Sequence, residues 1–214
     1  DKGIIKENPI HALEITRRKE EDKPRPANKD DLLKLLAVIP KYSYVGIRDY
    51  TMILLMADTG IRPAEVVRLR EDHLNLARGS IVLTKDITKT KRERVTPISD
   101  SVKSSLIKFS KIIESEFEER GYLFLTEHGE KMETYVLRNN MKGYSEKAGV
   151  KITPYQLRHF FGTEYLRHDG NLLYLQKVMG HSNLDTTKKY IEITEDDLLR
   201  SHQMVSPVKG LTRD

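Results

Sequence analysis

Apolar residues along this chain recur mostly three and four positions apart, so most of the elements they predict are helices. From Asn28 or Asp30, the residues Leu32, Leu33, Leu35, Leu36 and Val38 form an amphipathic stripe that stops before Pro40. A second helix is expected over about Val45 to Ala57, with Ile47, Tyr50, Ile53, Leu54 and Ala57 on one face and Thr59-Gly60 as its close. Pro63 suits the first position of a third helix, where its missing N–H would have no partner anyway; that helix would run through Leu69. Further helical patterns cover about Asp100 to Arg120, Glu133 to Ala148, Pro154 to His168, Asn171 to Met179, Asp185 to Ile191 and Thr194 to Met204.

The period changes after Arg78-Gly79. Two β-rich runs, Ser80 to Thr84 and Arg94 to Ile98, flank the polar stretch Lys85 to Glu93, which reads as a hairpin with a mobile basic tip. The expected fold class is therefore mainly α with a small antiparallel β-sheet (α+β). Residues 1–27 differ, because the charged and proline-containing run from Arg17 to Pro26 has the composition of a linker. The expected division is a linker at 1–27, a domain at 28–193 and a C-terminal helix with its tail at 194–214.

Composition narrows the chemistry. With 214 residues and 38% hydrophobic content the chain can bury a core, and without cysteine it has no disulfide or thiolate metal site. Its seven histidines show no zinc-binding spacing, so neither a metal nor a cofactor is expected. No apolar run approaches the ~18 residues of a membrane span, no signal-peptide core is present, and a cytoplasmic location is the expectation. A net charge of +5 mildly favours a polyanionic partner. No Walker-type phosphate loop occurs, so nucleotide hydrolysis is not expected to drive the activity.

Four patches carry side chains suited to phosphate chemistry. In Thr59-Gly60-Ile61-Arg62-Pro63-Ala64-Glu65, an arginine at a helix start precedes by three residues a glutamate on the same face. The hairpin tip concentrates Lys85, Lys89, Lys91, Arg92 and Arg94, as a DNA-contacting element would. In Thr153-Pro154-Tyr155-Gln156-Leu157-Arg158-His159, the spacing puts Tyr155 and Arg158 on one helix face, able to grip one phosphate together. Finally Gly180-His181 ends a helix, and Tyr190 follows Thr186-Thr187 in a basic, hydroxyl-rich setting. Each patch alone has an ordinary structural explanation; their order along one chain is what carries information.

Together these motifs resemble the catalytic domain of the tyrosine recombinase family, also called phage integrases, which includes the Xer resolvases and the integrases of conjugative transposons. The resemblance spans about residues 28–206. It implies that Arg62 and Arg158 hold the phosphate, Glu65 supports them, His181 hydrogen-bonds the phosphate and Tyr190 is the nucleophile. Counting back from Arg94-Val95-Thr96-Pro97-Ile98, the catalytic lysine falls on Lys89, with Lys85 and Lys91 as the competing registers. Met179 stands where leucine is usual, and Tyr155 where histidine is usual. A phenol is a weaker proton shuttle than an imidazole at neutral pH, so Tyr155 is assigned phosphate contact.

The resemblance also implies a site-specific recombinase that acts through a 3′-phosphotyrosine on double-stranded DNA, without ATP or metal, for integration or transposition of a mobile element. It implies self-association as a dimer or tetramer on DNA, with residues 194–214 docked on a neighbouring protomer. Asp1 to Pro9 resembles the end of an N-terminal core-binding domain, which makes the chain a catalytic fragment in expectation. The alternatives are relaxation of DNA in the manner of a type IB topoisomerase, or a DNA-binding relative without catalysis.

Overall fold

The structure is a computed structural model that describes residues 26–118, 121–190, 199, 202–204, 206 and 208. Among these residues eight α-helices surround one three-stranded antiparallel sheet. The helices are α1 (Lys29–Ala37), α2 (Tyr44–Thr59), α3 (Pro63–Val66), α4 (Asp100–Glu116), α5 (Thr134–Ala148), α6 (Pro154–Arg167), α7 (Leu172–Met179) and α8 (Asp185–Lys188). The sheet contains β1 (Leu74–Asn75), β2 (Ser80–Leu83) and β3 (Arg94–Pro97) in that spatial order. The expected α+β class therefore holds. β1, too short to show an alternating pattern, was not expected from sequence; its pairing of Leu74 with Ile81 makes it visible.

Local chemistry explains most element boundaries. Asn28, Ser43, Ser99, Thr153 and Asn171 each accept a backbone N–H at a helix start, and Gly60, Gly149 and Gly180 close helices in the left-handed conformation. α3 is shorter than expected, because the segment from Val67 to Leu69 turns away from it toward a 3-10 turn at Glu71–His73.

The core lies around α2, which packs on both α4 and α6 while α1 covers α5. The expected apolar face of α2 needs correction. Ile47, Tyr50, Leu54 and Ala57 are only partly buried, whereas Asp49, Met52, Ile53, Leu55 and Met56 are buried; of the five expected positions only Ile53 is among them. A central helix contacted on several sides has no single apolar stripe to detect. A buried polar knot sits on this helix: Asp49 takes two donors from Arg48 and one each from Asn140 and Tyr144. Arg48 also donates to the Leu125 carbonyl at 2.8 Å.

Ala27 is buried in the same core and its N–H reaches the Gln156 carbonyl, so the packed domain includes at least one residue before Asn28. The expectations for residues 1–25, and for all but a few positions of 194–214, lie outside the described residues. Among the described residues no helix is long and apolar enough to cross a membrane.

Candidate active site

Five of the candidate residues, Arg62, Glu65, Arg158, His181 and Tyr190, meet at the C-terminal end of α7. Gly180 ends that helix with φ 64°, and the His181 N–H turns back to the Gln176 carbonyl at 3.1 Å. A helix end leaves its last carbonyls without intrahelical partners. Here three consecutive ones are each held by an arginine from a different element: Val178 by Arg94 Nε at 2.8 Å, Met179 by Arg158 Nη2 at 2.8 Å and Gly180 by Arg62 Nη2 at 3.2 Å. The negative end of the helix favours these cations. A side chain at Gly180 would be strained by the positive φ and would meet the Arg94 Cδ at 3.1 Å.

Arg62 stands at the N-cap of α3, and its own N–H donates to Glu65 Oε2 at 3.0 Å while its Nη1 donates to Oε1 at 3.1 Å. Glu65 also takes both Nη atoms of Arg94, at 3.1 and 2.6 Å. Burial by itself would push the Glu65 carboxyl up, but the hydrogen bond and charge of Arg94, joined by Arg62, hold it below the usual carboxylate range. The expectation that Arg94 belongs to the DNA-contacting tip is corrected by this geometry. β3 turns Arg94 inward at 8% exposure, and its guanidinium bonds go to the Val178 carbonyl and to Glu65.

Arg158, one turn into α6, donates to the Gly60 and Met179 carbonyls and reaches His181 Nε2 at 2.8 Å. A guanidinium can only donate, so Nε2 is the acceptor and the imidazole proton sits on Nδ1, facing Thr187 Oγ1 at 2.8 Å. Burial, then the Arg158, Arg62 and Arg94 charges, lower the His181 pKa to about 4, so this ring is neutral at physiological pH. Burial and then Arg62 lower Arg158 as well, though a guanidinium remains protonated at neutral pH.

Tyr190 closes the cluster. Its ring lies parallel to that of His181, with centroids 6.3 Å apart, and 5.5 Å from the ring of His159. It packs with Leu175 and Met179 in a small core separate from the main one, and is 9% exposed. Burial raises its pKa while Arg158 and Arg62 oppose the rise, so the phenol is protonated at neutral pH. The space for the ring comes from Gly162 on α6, where an added Cβ would stand 2.9 Å from the Tyr190 ring carbons. Gly162 and Thr187 were not singled out as site residues from sequence. A lone glycine inside a helical pattern was the available signal for the first, and the Thr186-Thr187 pair for the second.

Two expectations find no place in this cluster. Tyr155 sits in the first turn of α6, 57% exposed, while Arg158 on the same helix is buried. Lys85, Lys89, Lys91 and Arg92 are all exposed on the β2–β3 connection, and none joins the hydrogen-bonded group. That connection differs from the expected mobile tip. Ile87 and Thr88 are buried, and Thr88 Oγ1 donates to the Arg92 carbonyl at 3.0 Å, which anchors the loop beside Lys89. Among the described residues no group of three or more metal-ligating side chains occurs.

Arg62, Glu65, Arg94, Arg158, His181 and Tyr190 thus form a largely buried, positively charged centre with one hydroxyl, suited to an anionic phosphate group. Comparisons with known proteins agree in outline. The model of the phage integrase family matches residues 27–196. The tyrosine recombinase XerA of Thermococcus kodakarensis is 30% identical over 191 residues, covering 88% of this chain and 65% of the relative. XerD of Listeria innocua is 29% identical over 199 residues, covering 90% of this chain and 66% of the relative. The chain thus spans just under two thirds of the length of these curated relatives.

Among solved structures, the Tn1549 transposon integrase in complex with transposon right end DNA superposes with a TM-score of 0.72 at 22% identity, over 94% of this chain and 73% of that one. The catalytic domain of bacteriophage HP1 integrase does so with a TM-score of 0.62 at 22% identity, over 88% of this chain and 99% of that domain. At such identities these two establish the fold, which is that of the tyrosine recombinase catalytic domain. With the family model spanning most of its length, the chain belongs to the phage integrase family.

Proposed function

We propose that this domain breaks and rejoins DNA strands by phosphoryl transfer, as a site-specific recombinase, with Tyr190 as the nucleophile. The observation that carries this reading is the convergence of Arg62, Arg158, His181 and Tyr190, from four separate elements, on the end of α7. Family membership and the recombinase names of the relatives support it, as does the Tn1549 integrase solved on DNA.

A phosphodiester entering the centre would replace the Gly180 and Met179 carbonyls as the acceptor for Arg62 and Arg158. Tyr190 Oη then gives up its proton to water and attacks phosphorus, forming a tyrosine–phosphate bond and breaking the bond to the 5′-oxygen. That oxygen takes a proton and leaves as a 5′-hydroxyl; we assign the proton to Lys89, with Lys85 and Lys91 as the other exposed lysines of the loop. Lys85, Lys91 and Arg92 also neutralise flanking DNA phosphates. The arginines stabilise charge on the non-bridging oxygens, and Glu65 orients Arg62. Once Arg158 releases Nε2, the neutral His181 ring takes the tautomer with its proton on Nε2, donates it to a phosphate oxygen and accepts from the Thr187 hydroxyl at Nδ1; Tyr155 contacts the DNA backbone from the rim.

Because the phosphotyrosine retains the ester bond energy, attack by a partner strand's 5′-hydroxyl reseals DNA without ATP, and the arginines supply the charge neutralisation a metal would otherwise supply. The proposal extends to assembly as a dimer or tetramer on paired sites, with residues 194–214 docked on a neighbouring protomer, and to integration or transposition of a mobile element.

The test uses duplexes selected by binding from a random-sequence pool and nicked at successive positions, so that the released 5′-hydroxyl fragment diffuses away. An SDS-stable adduct is expected, with the DNA 3′ end attached to the peptide containing Tyr190. Attachment to another residue, or no adduct on any duplex the protein binds, overturns the reading.

Gly162→Ala supplies a second check. The methyl group would press on the Tyr190 ring, and misplacing a nucleophile by about 1 Å costs about 100-fold in rate. The same change improves the helix propensity of α6 by about 1 kcal/mol, so slow cleavage is expected from a protein that melts near the parent temperature. Parent-like adduct formation would show that the ring does not need this gap.

A further inference from the structure

We propose that Arg94 is a positioning residue for the cleavage reaction: by clamping Glu65 to the end of α7 it keeps Arg62 available for phosphate and holds His181 in place. The inference rests on the proposed strand cleavage and adds to it a group that never touches DNA. Arg94 opens β3, opposite Leu83 in the sheet, so its backbone is fixed by strand pairing. Its guanidinium is buried, and its Nε, Nη1 and Nη2 are engaged by Val178, Glu65 Oε1 and Glu65 Oε2 respectively. The side chain is 6% exposed, against 18% for Arg62, which leaves Arg62 and not Arg94 open to a ligand.

The consequence follows from charge. Glu65 is 1% exposed and carries one negative charge between two guanidinium groups. Arg94 takes both carboxylate oxygens in a fork, the 2.6 Å bond being its shortest, while the Arg62 guanidinium makes a single 3.1 Å bond. The carboxylate is therefore neutralised mainly by Arg94, and the Arg62 charge is left for the phosphate. Without Arg94 the nearest cation to Glu65 is Arg62, which would be drawn into the fork and away from the ligand. The Val178 carbonyl would lose its arginine, and the turn carrying His181 would keep two of its three arginine anchors.

The experiment uses the whole chain on the nicked duplexes described above, with two readouts: DNA affinity by anisotropy, and the first-order rate of adduct formation at saturating DNA. Arg94→Lys keeps the charge but cannot form the fork together with the third bond. Its rate is expected to fall about 10–100-fold, the worth of one or two charge-assisted hydrogen bonds, with the dissociation constant within about threefold of the parent. The variants Glu65→Gln, Arg94→Gln and the double variant complete the test. If Arg94 acts mainly through Glu65, the double variant loses little more rate than Glu65→Gln alone, the difference being the Val178 bond; it also carries no unpaired buried carboxylate, so it reports even where Arg94→Gln does not fold.

Three results would overturn the proposal: an unchanged saturated rate in folded Arg94→Lys, weakened DNA binding at an unchanged rate, or multiplicative rate losses in the double variant. A parent protein that forms no adduct would instead refute the cleavage reading itself.

Discussion

Replacing Tyr190 with phenylalanine is expected to abolish the covalent adduct while DNA binding and thermal stability stay close to those of the parent. The change removes one oxygen and keeps the ring that packs on Leu175, Met179, His159 and His181. Stability therefore has little reason to change, whereas Tyr190→Ala would cost about 3 kcal/mol or more through lost burial. Loss of an essential nucleophile in other covalent enzymes lowers the rate by about six orders of magnitude, so no adduct should be detectable. Anisotropy with intact duplex and SDS gels with nicked duplex measure the two quantities on one preparation. Residual adduct in the phenylalanine variant would place the nucleophile elsewhere, and Tyr190 would then be a packed tyrosine among histidines.

The second large effect is one of stability. Asp49→Ala is expected to destabilise the domain by about 3–5 kcal/mol, the cost of leaving a buried charge without its partner. Asp49 is 0% exposed and Arg48 2%, so solvent screens this pair little. The loss would strand Arg48 in the core with its bond to the Leu125 carbonyl but without a counter-charge, and would remove the acceptor used by Asn140 and Tyr144. Domains of ordinary stability have only about 5–15 kcal/mol in total, so the variant should be partly unfolded near body temperature. Urea melts of Asp49→Ala and of Arg48→Met/Asp49→Leu decide the matter. The double variant, which removes both charges together, should lie much closer to the parent. Equal destabilisation of the two would mean that packing volume, and not the unpaired charge, sets the cost.

The network bears on the site because α2 carries it at one end and delivers Gly60 and Arg62 at the other. The Gly60 carbonyl is itself an acceptor for Arg158, so movement of α2 would act on both arginines. Asp49→Ala protein that remains folded at low temperature should accordingly bind and cleave less well than its folded fraction predicts.

Helix positions were legible in the sequence because caps are local. Asn28, Ser43, Thr153 and Asn171 bond to amides two or three residues away, and Gly60 and Gly180 need only their own backbone freedom. The hairpin was legible for the same reason, through its two β-rich runs and polar tip. The buried face of α2 was not legible, because α4 and α6 reach it from different sides. Thr88 looked like one more polar residue in a basic loop, although its hydroxyl staples that loop to the Arg92 carbonyl.

For the site, the sequence by itself determined the cast and its order. Arg62 with Glu65, Arg158, then Gly180-His181 and Tyr190 could be picked out, since helix starts and spacings of three residues depend on neighbours along the chain. What only the tertiary structure decided is how those residues are held against one another. Val178, Met179 and Gly180 are met by arginines 84, 21 and 118 positions away in sequence. Contacts across such distances depend on how α3, α6, α7 and β3 pack, and no local pattern encodes that packing. It is this packing that turned Arg94 from an expected DNA contact into the inward partner of Glu65, and left Tyr155 at the rim while Arg158 went into the centre.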